Sequence, residues 1–296
     1  EYMNLDSFIK YLSLEKNYSP QTVKCYEADL ICFERFFSSL DSNLTWKSID
    51  TDVVRRWVLH LMDSGEKASS VNRKLSSLRS FYRYLLRENI VFADPLHGLN
   101  GPKKKKSLPF FIKESELDQL IDGNYFAQNW LGCRDRLIIE TFYVTGIRLS
   151  ELVALNNTDI DLSEGYIKVR GKGNKERLIP FDDEEKKDLL DYLMFRDKLF
   201  PEQNTPAFFL NKKGTRINRY NVERLVNYYL SQVSTSFKRS PHVLRHSFAT
   251  VMLNHCADLE GVKELLGHES LATTEIYTHL TFEELKKIYK QAHPRA

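Results

Sequence analysis

Residues 240–280 read SPHVLRHSFATVMLNHCADLEGVKELLGHESLATTEIYTHL, and this segment guides the interpretation of the rest of the chain. Ser240 is a typical N-cap residue and Pro241 suits the first helical position, so we predict a helix that begins here. His242 and Arg245 are three residues apart and share one face of that helix. The first turn of a helix also offers free N–H groups and a positive dipole end. The segment therefore predicts an anion-binding site.

Two more polar side chains, His268 and Tyr277, follow in the same segment. An arginine, two histidines and a tyrosine near a helix start suit a phosphodiester. Three short motifs carry them in a fixed order: HVLRHSFAT at His242–Thr250, ELLGH at Glu264–His268 and IYTH at Ile276–His279. This ordered set resembles the C-terminal signature of tyrosine recombinases, in particular of the Xer type. The combination is much more specific than any one motif.

A second region of this resemblance is TGIRLSEL at residues 145–152. Gly146 interrupts a helical pattern that restarts at Leu149, so Arg148 is predicted to lie beside a bend. A lone arginine in such a place is usually a surface residue. The segment, however, resembles the first conserved box of the same family, which makes Arg148 the first catalytic arginine and Glu151 a supporting acid. Two planar guanidinium groups can clamp one phosphate with paired hydrogen bonds.

A β-hairpin is predicted between these two regions. Tyr166–Val169 and Arg177–Pro180 alternate as strands, and Gly171–Lys175 is a glycine- and asparagine-rich turn between them. Lysines at a hairpin tip are most often solvated. In the family, this hairpin carries a lysine that reaches into the minor groove of DNA. Lys172 matches that lysine by position, and Lys175 is the competing candidate and a predicted DNA contact.

The resemblance implies a complete reaction. The predicted catalytic residues are Arg148, Lys172, His242, Arg245, His268 and Tyr277, with Glu151 in support. Tyr277 attacks a DNA phosphodiester and forms a 3′-phosphotyrosyl bond, and Lys172 protonates the leaving 5′-oxygen. The arginines and His268 stabilise the transition state, while His242 gives acid–base or hydrogen-bonding support. A second strand then reseals the DNA through a Holliday junction. One phosphodiester replaces another, so no ATP, metal or other cofactor is expected.

The N-terminal third is predicted to be helical from residue 5 to residue 91. A fourth helix, Ala68–Arg87, carries basic residues and no acidic residue over its length. A solvated basic face is common on a single helix, but the complete absence of acids favours a DNA-facing helix. In tyrosine recombinases a small helical core-binding domain grips DNA opposite the catalytic domain. The predicted DNA contacts on this helix are Arg73, Lys74, Arg79 and Arg83.

Helix-breaking prolines and glycines mark a boundary at residues 94–109. A run of four lysines within it is either a solvated linker or a segment that crosses a phosphate backbone. These lysines are Lys103, Lys104, Lys105 and Lys106. We therefore predict a helical core-binding, SAM-like domain at 1–93, a basic linker at 94–109 and a tyrosine recombinase catalytic domain at 110–296. The expected fold is mainly α with a small antiparallel β-hairpin or sheet, and the resemblance implies a C-shaped clamp around DNA.

Bulk properties exclude several other classes. The chain has 296 residues, a net charge of only +3 and no apolar run near the roughly 20 residues of a membrane span. A DNA-binding prediction therefore depends on local patches and not on net charge. The four cysteines form no C-x-x-C pair, so we expect a reducing compartment and no zinc site. Without a visible signal peptide, we expect a cytoplasmic protein.

Several local expectations concern the C-terminal domain. Phe282, Leu285, Ile288 and Tyr289 form an apolar stripe on a short terminal helix, after a capping box at Thr281. This helix either packs on its own domain or docks on a neighbouring protomer. The residues expected in the core of the central segment are Val243, Leu244, Phe248 and Leu253. The acidic run Asp182–Glu185 is expected to be a solvated turn and helix start.

The resemblance also implies partners. These are double-stranded DNA with a short inverted-repeat site, further subunits in a homo- or hetero-tetramer, and a DNA translocase, with no membrane. The helical pattern begins almost at once, without the arm-binding domain of some phage-type integrases, which favours chromosome dimer resolution. An integrase or invertase of a mobile element would have the same active site. A topoisomerase that cuts and reseals one strand also remains open. A non-catalytic regulator could use residues 261–277 as a helix–turn–helix, but the intact catalytic set argues against it, because a pure binder does not need His268 or Tyr277. A metal-dependent nuclease is disfavoured because no carboxylate cluster is visible.

Overall fold

The computed structural model describes residues 2–103, 110–171, 176–202, 205–255, 259–266 and 282–293. It divides into two compact units, Glu1–Ser107 and Leu108–Ala296. Over these described residues the fold is mainly helical with one three-stranded antiparallel sheet, as the sequence predicted. Among the described helices, none is both long enough and apolar enough to cross a membrane.

Within residues 2–103, the N-terminal unit has four helices: α1 (Tyr2–Leu14), α2 (Pro20–Leu40), α3 (Thr51–Asp63) and α4 (Ala68–Arg87). Ser19 caps α2 by accepting a hydrogen bond from the Thr22 backbone N–H, and Asp50 caps α3 in the same way through Val53. The core of this unit is rich in aromatic rings, and its largest fully buried members are Phe8, Phe33, Phe37, Trp46, Trp57, Phe81 and Tyr82.

The segment that follows α4 packs against it. Leu96 is buried, and the Asn72 side chain donates a hydrogen bond to the Pro102 carbonyl at 2.8 Å. The Arg79 Nη2 atom likewise donates to the Leu99 carbonyl at 2.7 Å. The first part of the predicted linker is therefore held on the N-terminal unit.

The C-terminal unit begins with three helices, α5 (Glu114–Asp122), α6 (Trp130–Thr145) and α7 (Leu149–Ala154). A single 3₁₀ turn leads into strands β1 (Ile160–Asp161), β2 (Tyr166–Arg170) and β3 (Glu176–Pro180), which pair in that order. The hairpin predicted from the sequence is β2–β3, with Ile167 opposite Ile179 and Val169 opposite Arg177. The remaining helices in the described part of this unit are α8 (Asp183–Leu199), α9 (Arg219–Val233), α10 (Pro241–Asn254), α11 (Leu259–Leu266) and α12 (Phe282–Ala292).

Helix α6 is the central helix of this unit, and every residue from Leu137 to Thr145 is buried. It ends at Gly146, which adopts a left-handed conformation with φ 59° and donates its N–H to the Phe142 carbonyl. A Cβ at this position would lie 2.4 Å from Phe248 and 2.9 Å from Leu266. Glycine is therefore needed both for the backbone turn and for the close approach of α10 and α11.

Two expectations for side-chain burial are wrong. Asp182 caps α8 as predicted for a helix start, but Glu185 is buried and accepts a hydrogen bond from Thr141 Oγ1 of α6 at 2.9 Å. Its side chain points inward because it lies on the face of α8 that packs against α6. Leu253 lies on the outer face of α10 and is 43% exposed, whereas the other predicted core residues of that helix are buried.

Helix α12 packs on its own unit in the single chain. Tyr289 and Ala292 are buried in a small cluster that also contains residues of α6, α10 and α11. Beyond the helix, His293 stacks on the Tyr289 ring and its Nε2 atom lies 3.3 Å from the Tyr143 carbonyl. The predicted capping residue Thr281 lies outside the described residues.

Candidate active site

Arg148 stands at the N-cap of α7, two residues after the left-handed bend at Gly146. Its backbone N–H donates to Glu151 Oε2 at 2.8 Å, and its Nη1 atom donates to Glu151 Oε1 at 2.7 Å. Glu151 is therefore both the carboxylate of a capping box and the ion-pair partner of the arginine. This arrangement fixes the Arg148 side chain, which is 34% exposed, at the surface of the unit.

The same carboxylate binds a second arginine from β3. Arg177 donates from Nη1 and Nη2 to the two oxygens of Glu151, each at 2.9 Å, and from Nε to the Leu265 carbonyl at 2.9 Å. Burial acts to raise the pKa of Glu151, but the hydrogen bonds and charges of Arg177 and Arg148 outweigh it, and the pKa falls to about 2. Glu151 is thus an anion throughout the physiological range.

Arg245 lies on α10 and is buried, with 5% of its surface exposed. Its Nη1 atom donates to the Gly146 carbonyl and its Nη2 atom to the Leu266 carbonyl at the end of α11. Burial and the positive charges of Arg148 and Arg177 lower its pKa to about 10, while the negative charge of Glu151 acts to raise it. The guanidinium still remains charged at neutral pH, in a place that already holds two other cations.

His242 is exposed in the first turn of α10, one turn before Arg245. Its ring lies 4.6 Å from the ring of His246, centroid to centroid. Partial burial and the charges of His242 and Arg245 lower the pKa of His246. Pro241 occupies the first helical position as predicted, whereas Ser240 takes the N-cap backbone conformation without a side-chain cap bond.

The site thus brings three guanidinium groups around one carboxylate, beside the start of a helix. This leaves an excess of positive charge that a phosphate could neutralise. In the described ranges, no group of three or more His, Cys, Asp or Glu side chains is placed to hold a metal ion.

Comparison with known proteins gives the family. Residues 111–284 match the model of the phage integrase family, and residues 5–89 match the phage integrase N-terminal SAM-like domain. The chain belongs to the phage integrase family. Within it, the chain is a tyrosine recombinase of the Xer type, as its motifs predicted.

Individual relatives resemble the chain over nearly its whole length. Tyrosine recombinase XerC of Pelotomaculum thermopropionicum is 41% identical, over 100% of this chain and 99% of the relative. XerC of Oceanobacillus iheyensis is 42% identical, over 99% of this chain and 96% of the relative. The crystal structure of XerH site-specific recombinase bound to a palindromic difH substrate, a post-cleavage complex, has a TM-score of 0.71. It is 25% identical to this chain and covers 96% of it and 82% of the XerH chain.

The structure places some of the predicted recombinase residues and not others. It brings Arg148, Glu151 and Arg245 together, with His242 one helical turn away. The remaining predicted catalytic residues and several predicted DNA contacts lie outside the described residues. These are Lys172, Lys175, His268, Tyr277, Lys104, Lys105 and Lys106.

On the predicted DNA-facing helix α4, several basic side chains have partners within the N-terminal unit. Arg73 pairs with Asp29 of α2, and Lys74 pairs with Glu66 at 2.5 Å. Arg79 bonds the Leu99 carbonyl. Arg83 and Lys103 are exposed. Three of the predicted contacts, Arg73, Lys74 and Arg79, therefore also hold the N-terminal unit together.

Sequence reasoning missed Arg177. The predicted function of the hairpin depended on the lysines at its tip, but the alternation of residues along the strand also marks Arg177. Arg177 pairs with Val169 and lies on the same sheet face as the buried Ile167 and Ile179. A charged residue on the buried face of a short strand requires a partner, which here is Glu151.

Proposed function

We propose that this chain cuts and rejoins DNA at a specific site through a covalent intermediate on Tyr277. The observation that carries the proposal is the buried Arg245 beside Arg148, both held by neighbouring backbone or carboxylate groups. A guanidinium has five N–H donors, and the two backbone bonds of Arg245 use two of them. Its chemistry therefore allows further donation to the oxygens of a phosphate.

Electrostatics favours a phosphodiester at this place. Three arginines and one glutamate leave two positive charges in excess, and burial of Arg245 already disfavours its charged form. An arriving phosphate would relieve this repulsion, and the additional negative charge of a pentacovalent transition state would relieve it further. His242 is exposed at the start of α10, one helical turn before Arg245, and its imidazole can donate a further hydrogen bond.

The remaining roles follow the sequence motifs. Tyr277 attacks phosphorus, a 3′-phosphotyrosyl bond forms, and the bond to the 5′-oxygen breaks. Lys172 gives a proton to that oxygen, while His268 donates a hydrogen bond to the phosphate. The 5′-hydroxyl of a second strand then attacks the phosphotyrosine and releases the tyrosine. Bond energy is conserved through these steps, so the chemistry needs neither ATP nor a metal.

We assign the biological role from the named relatives. Their XerC designation, and the bound palindromic substrate of XerH, favour recombination at a short inverted repeat and resolution of chromosome dimers. The working form would be a tetramer on two duplexes in the cytoplasm, with a DNA translocase as an activating partner. Two exposed basic residues of the N-terminal unit, Arg83 and Lys103, would contact the phosphate backbone.

The test is covalent trapping on sheared genomic DNA. The protein is mixed with the fragments, the reaction is stopped with detergent, and protein-linked junctions are sequenced, with Tyr277→Phe as the control. We expect one dominant junction near the replication terminus and no adduct with the variant. Junctions at the ends of a mobile element would indicate integration or inversion and not the chromosomal role. Scattered junctions would indicate a topoisomerase, and no adduct from the wild type would contradict the proposed function.

A further inference from the structure

Arg177 is a nearly buried arginine to which the motifs of the family assign no part in the reaction. Its side chain is 11% exposed. It donates three hydrogen bonds, two to the carboxylate of Glu151 and one to the Leu265 carbonyl. An arginine in a two-pronged bond to a buried carboxylate fixes the position of both groups, because its planar fork matches the two oxygens.

The carboxylate that Arg177 binds is the one that holds Arg148. Four N–H groups donate to the two oxygens of Glu151, two from Arg177 and two from Arg148. A carboxylate has about four acceptor sites, so this set satisfies it completely. The position of Arg148 therefore depends on a group that Arg177 anchors from the opposite side.

Arg177 is linked to the second arginine as well. Its Nε atom bonds the Leu265 carbonyl, and the next carbonyl along the chain, that of Leu266, accepts from Arg245. Both carbonyls belong to the last turn of α11, where helical carbonyls lack intrahelical partners and carry partial negative charge. One strand residue thus connects the supports of two predicted active-site residues, Arg148 and Arg245.

We propose that Arg177 is a positioning residue of the recombination reaction, which fixes Glu151 beneath Arg148 and ties β3 to the end of α11. This inference rests on the proposed function, because the geometry it maintains is that of the phosphate-binding arginines. Arg177 need not touch the phosphate. It acts through Glu151 and through the two carbonyls of α11.

Positioning of this kind predicts a pH effect that a merely structural arginine would not produce. Glu151 is buried, which alone raises its pKa, and Arg177 is the largest opposing influence. The groups that face Glu151 are Arg148 of α7, Arg177 of β3 and, by its charge, Arg245 of α10. Without Arg177, Glu151 takes up a proton at a higher pH and then no longer holds Arg148. The cleavage rate of a variant without Arg177 should therefore fall at low pH, where the rate of the wild type does not show this fall.

The experiment compares Arg177→Met, Arg177→Lys and the double variant Arg177→Met/Glu151→Gln. Covalent adduct formation is measured in single turnover at saturating protein from pH 5 to pH 9, with DNA affinity and circular dichroism in parallel. At low pH we expect Arg177→Met to be slowed by about 100-fold, the effect of a small misplacement of a catalytic group. The rate should recover partly as pH rises. The lysine variant, which keeps the charge, should lose less.

Two controls make the result specific. Arg170→Met removes an exposed arginine that pairs with Glu176 on the same hairpin, and it should leave the pH profile unchanged. The double variant should be slow at all pH values, since glutamine cannot titrate. If Arg177→Met follows the wild-type pH profile, whether equally fast or slower by one constant factor, the positioning role is wrong.

A second measurement separates failure of this inference from failure of the proposed function. The side-chain carboxyl of Glu151 is followed by carbon-13 NMR in the free protein, which requires no activity. We expect Glu151 to remain ionised down to about pH 2 in the wild type and to titrate at higher pH in Arg177→Met. Unchanged titration would overturn the inference even if the wild type cuts DNA. A shifted titration without any adduct from the wild type would contradict only the recombinase function.

Discussion

The residue on which the proposed chemistry depends most is Arg245. Among the described residues its guanidinium bonds two backbone carbonyls, those of Gly146 and Leu266, and not a carboxylate. A buried cation held by neutral carbonyls keeps its full charge for an incoming anion. Glu151 supports the arrangement from a distance by neutralising part of the charge of Arg148 and Arg177.

Replacing Arg245 with lysine should abolish most cleavage. A lysine ammonium cannot reach both carbonyls and also present a planar pair of donors to a phosphate. We expect adduct formation to fall by roughly 10²–10³-fold, the effect of removing one transition-state donor, with DNA affinity nearly unchanged. Arg55→Lys, at an exposed position on α3, is the control and should be as active as the wild type. Normal cleavage by Arg245→Lys would contradict the role given to this arginine.

The sequence was informative for some of these residues because spacing along a helix is visible in it. The three-residue spacing of His242 and Arg245 predicted a shared helical face, and the glycine at position 146 predicted a bend beside Arg148. The anchoring of Glu151 by Arg177 could not be predicted, because it joins a residue of β3 to a residue of α7 that lies 26 positions away in the chain. Long-range contacts of this kind depend on tertiary structure.

At the scale of elements, the bend between α6 and α7 organises the site. Gly146 ends α6 in a conformation that glycine adopts at little cost, and its carbonyl accepts the hydrogen bond from Arg245. The side chains of Phe248 and Leu266 occupy the space that a Cβ at this position would need. The bend therefore couples helix termination, core packing and the position of an active-site arginine.

Gly146→Ala should destabilise the C-terminal unit more than Gly165→Ala does. Both glycines have positive φ, so each substitution carries a backbone strain of about 1–2 kcal/mol. Only at position 146 does the new Cβ clash with side chains, which adds about 1–3 kcal/mol. The difference in the free energy of unfolding between the two variants, measured by native-state hydrogen exchange of α6 amides, isolates the packing contribution. Equal destabilisation would show that the contact with Phe248 relaxes freely.

A pair of buried acids lies where α6 packs against α8. Burial is the first cause that raises the pKa of Glu140 and of Glu185, and neighbouring carboxylates act in the same direction. Arg136 opposes the shift, through contacts to Glu140 at 3.6 Å and Asp188 at 2.6 Å. Both glutamates are therefore favoured in the protonated form in the folded protein.

Glu185→Gln should make the stability of the C-terminal unit less sensitive to pH. In the wild type the folded state keeps a proton that the unfolded state loses above its ordinary pKa of 4.5. The free energy of unfolding therefore falls as pH rises from that value toward the raised pKa, by up to about 1.4 kcal/mol per pH unit. Glutamine at position 185 does not titrate and so does not cause this fall. The free energy of unfolding of the variant relative to that of the wild type should therefore increase from pH 4.5 toward pH 8.

Hydrogen exchange of α6 and α8 amides, compared at matched pH, measures this difference. Glu184→Gln is the matched control, since Glu184 is exposed one residue earlier on the same helix. A constant difference between Glu185→Gln and the wild type at all pH values would refute the protonated state of Glu185.

Elements with strong local signals were predictable, and those fixed by packing were not. The β2–β3 hairpin follows from alternation and a glycine-rich turn. The two-residue strand β1 is too short for any pattern and exists only by pairing with β2. Glu185 looked solvated because acids in a first helical turn usually face water near the positive dipole end.

At the scale of the whole molecule, the chain has two units with separate cores. Basic residues of the N-terminal unit and the arginine cluster of the C-terminal unit are both expected to meet DNA. The composition of α4 alone did not predict its ion pairs, because Asp29 and Glu66 approach it from outside the helix.

The contribution of the N-terminal unit to DNA binding can be measured by salt dependence. Each phosphate contact contributes about 0.9 to the slope of log affinity against log salt concentration. We expect Arg83→Gln to reduce that slope by about this amount and to weaken binding to all sequences alike. Arg56→Gln, exposed on α3, should leave the slope unchanged. The same slope for Arg83→Gln and the wild type would exclude Arg83 as a phosphate contact.

The proposed covalent bond between Tyr277 and DNA can be tested directly on the trapped adduct. Trypsin cleaves after Lys263 and Lys286 and so releases residues 264–286, in which Tyr277 is the only tyrosine. After nuclease trimming, mass spectrometry should find a nucleotide attached to this peptide at Tyr277 through a phosphate. A nucleotide on any other peptide, or cut DNA with an unmodified 264–286 peptide, would contradict the recombinase mechanism.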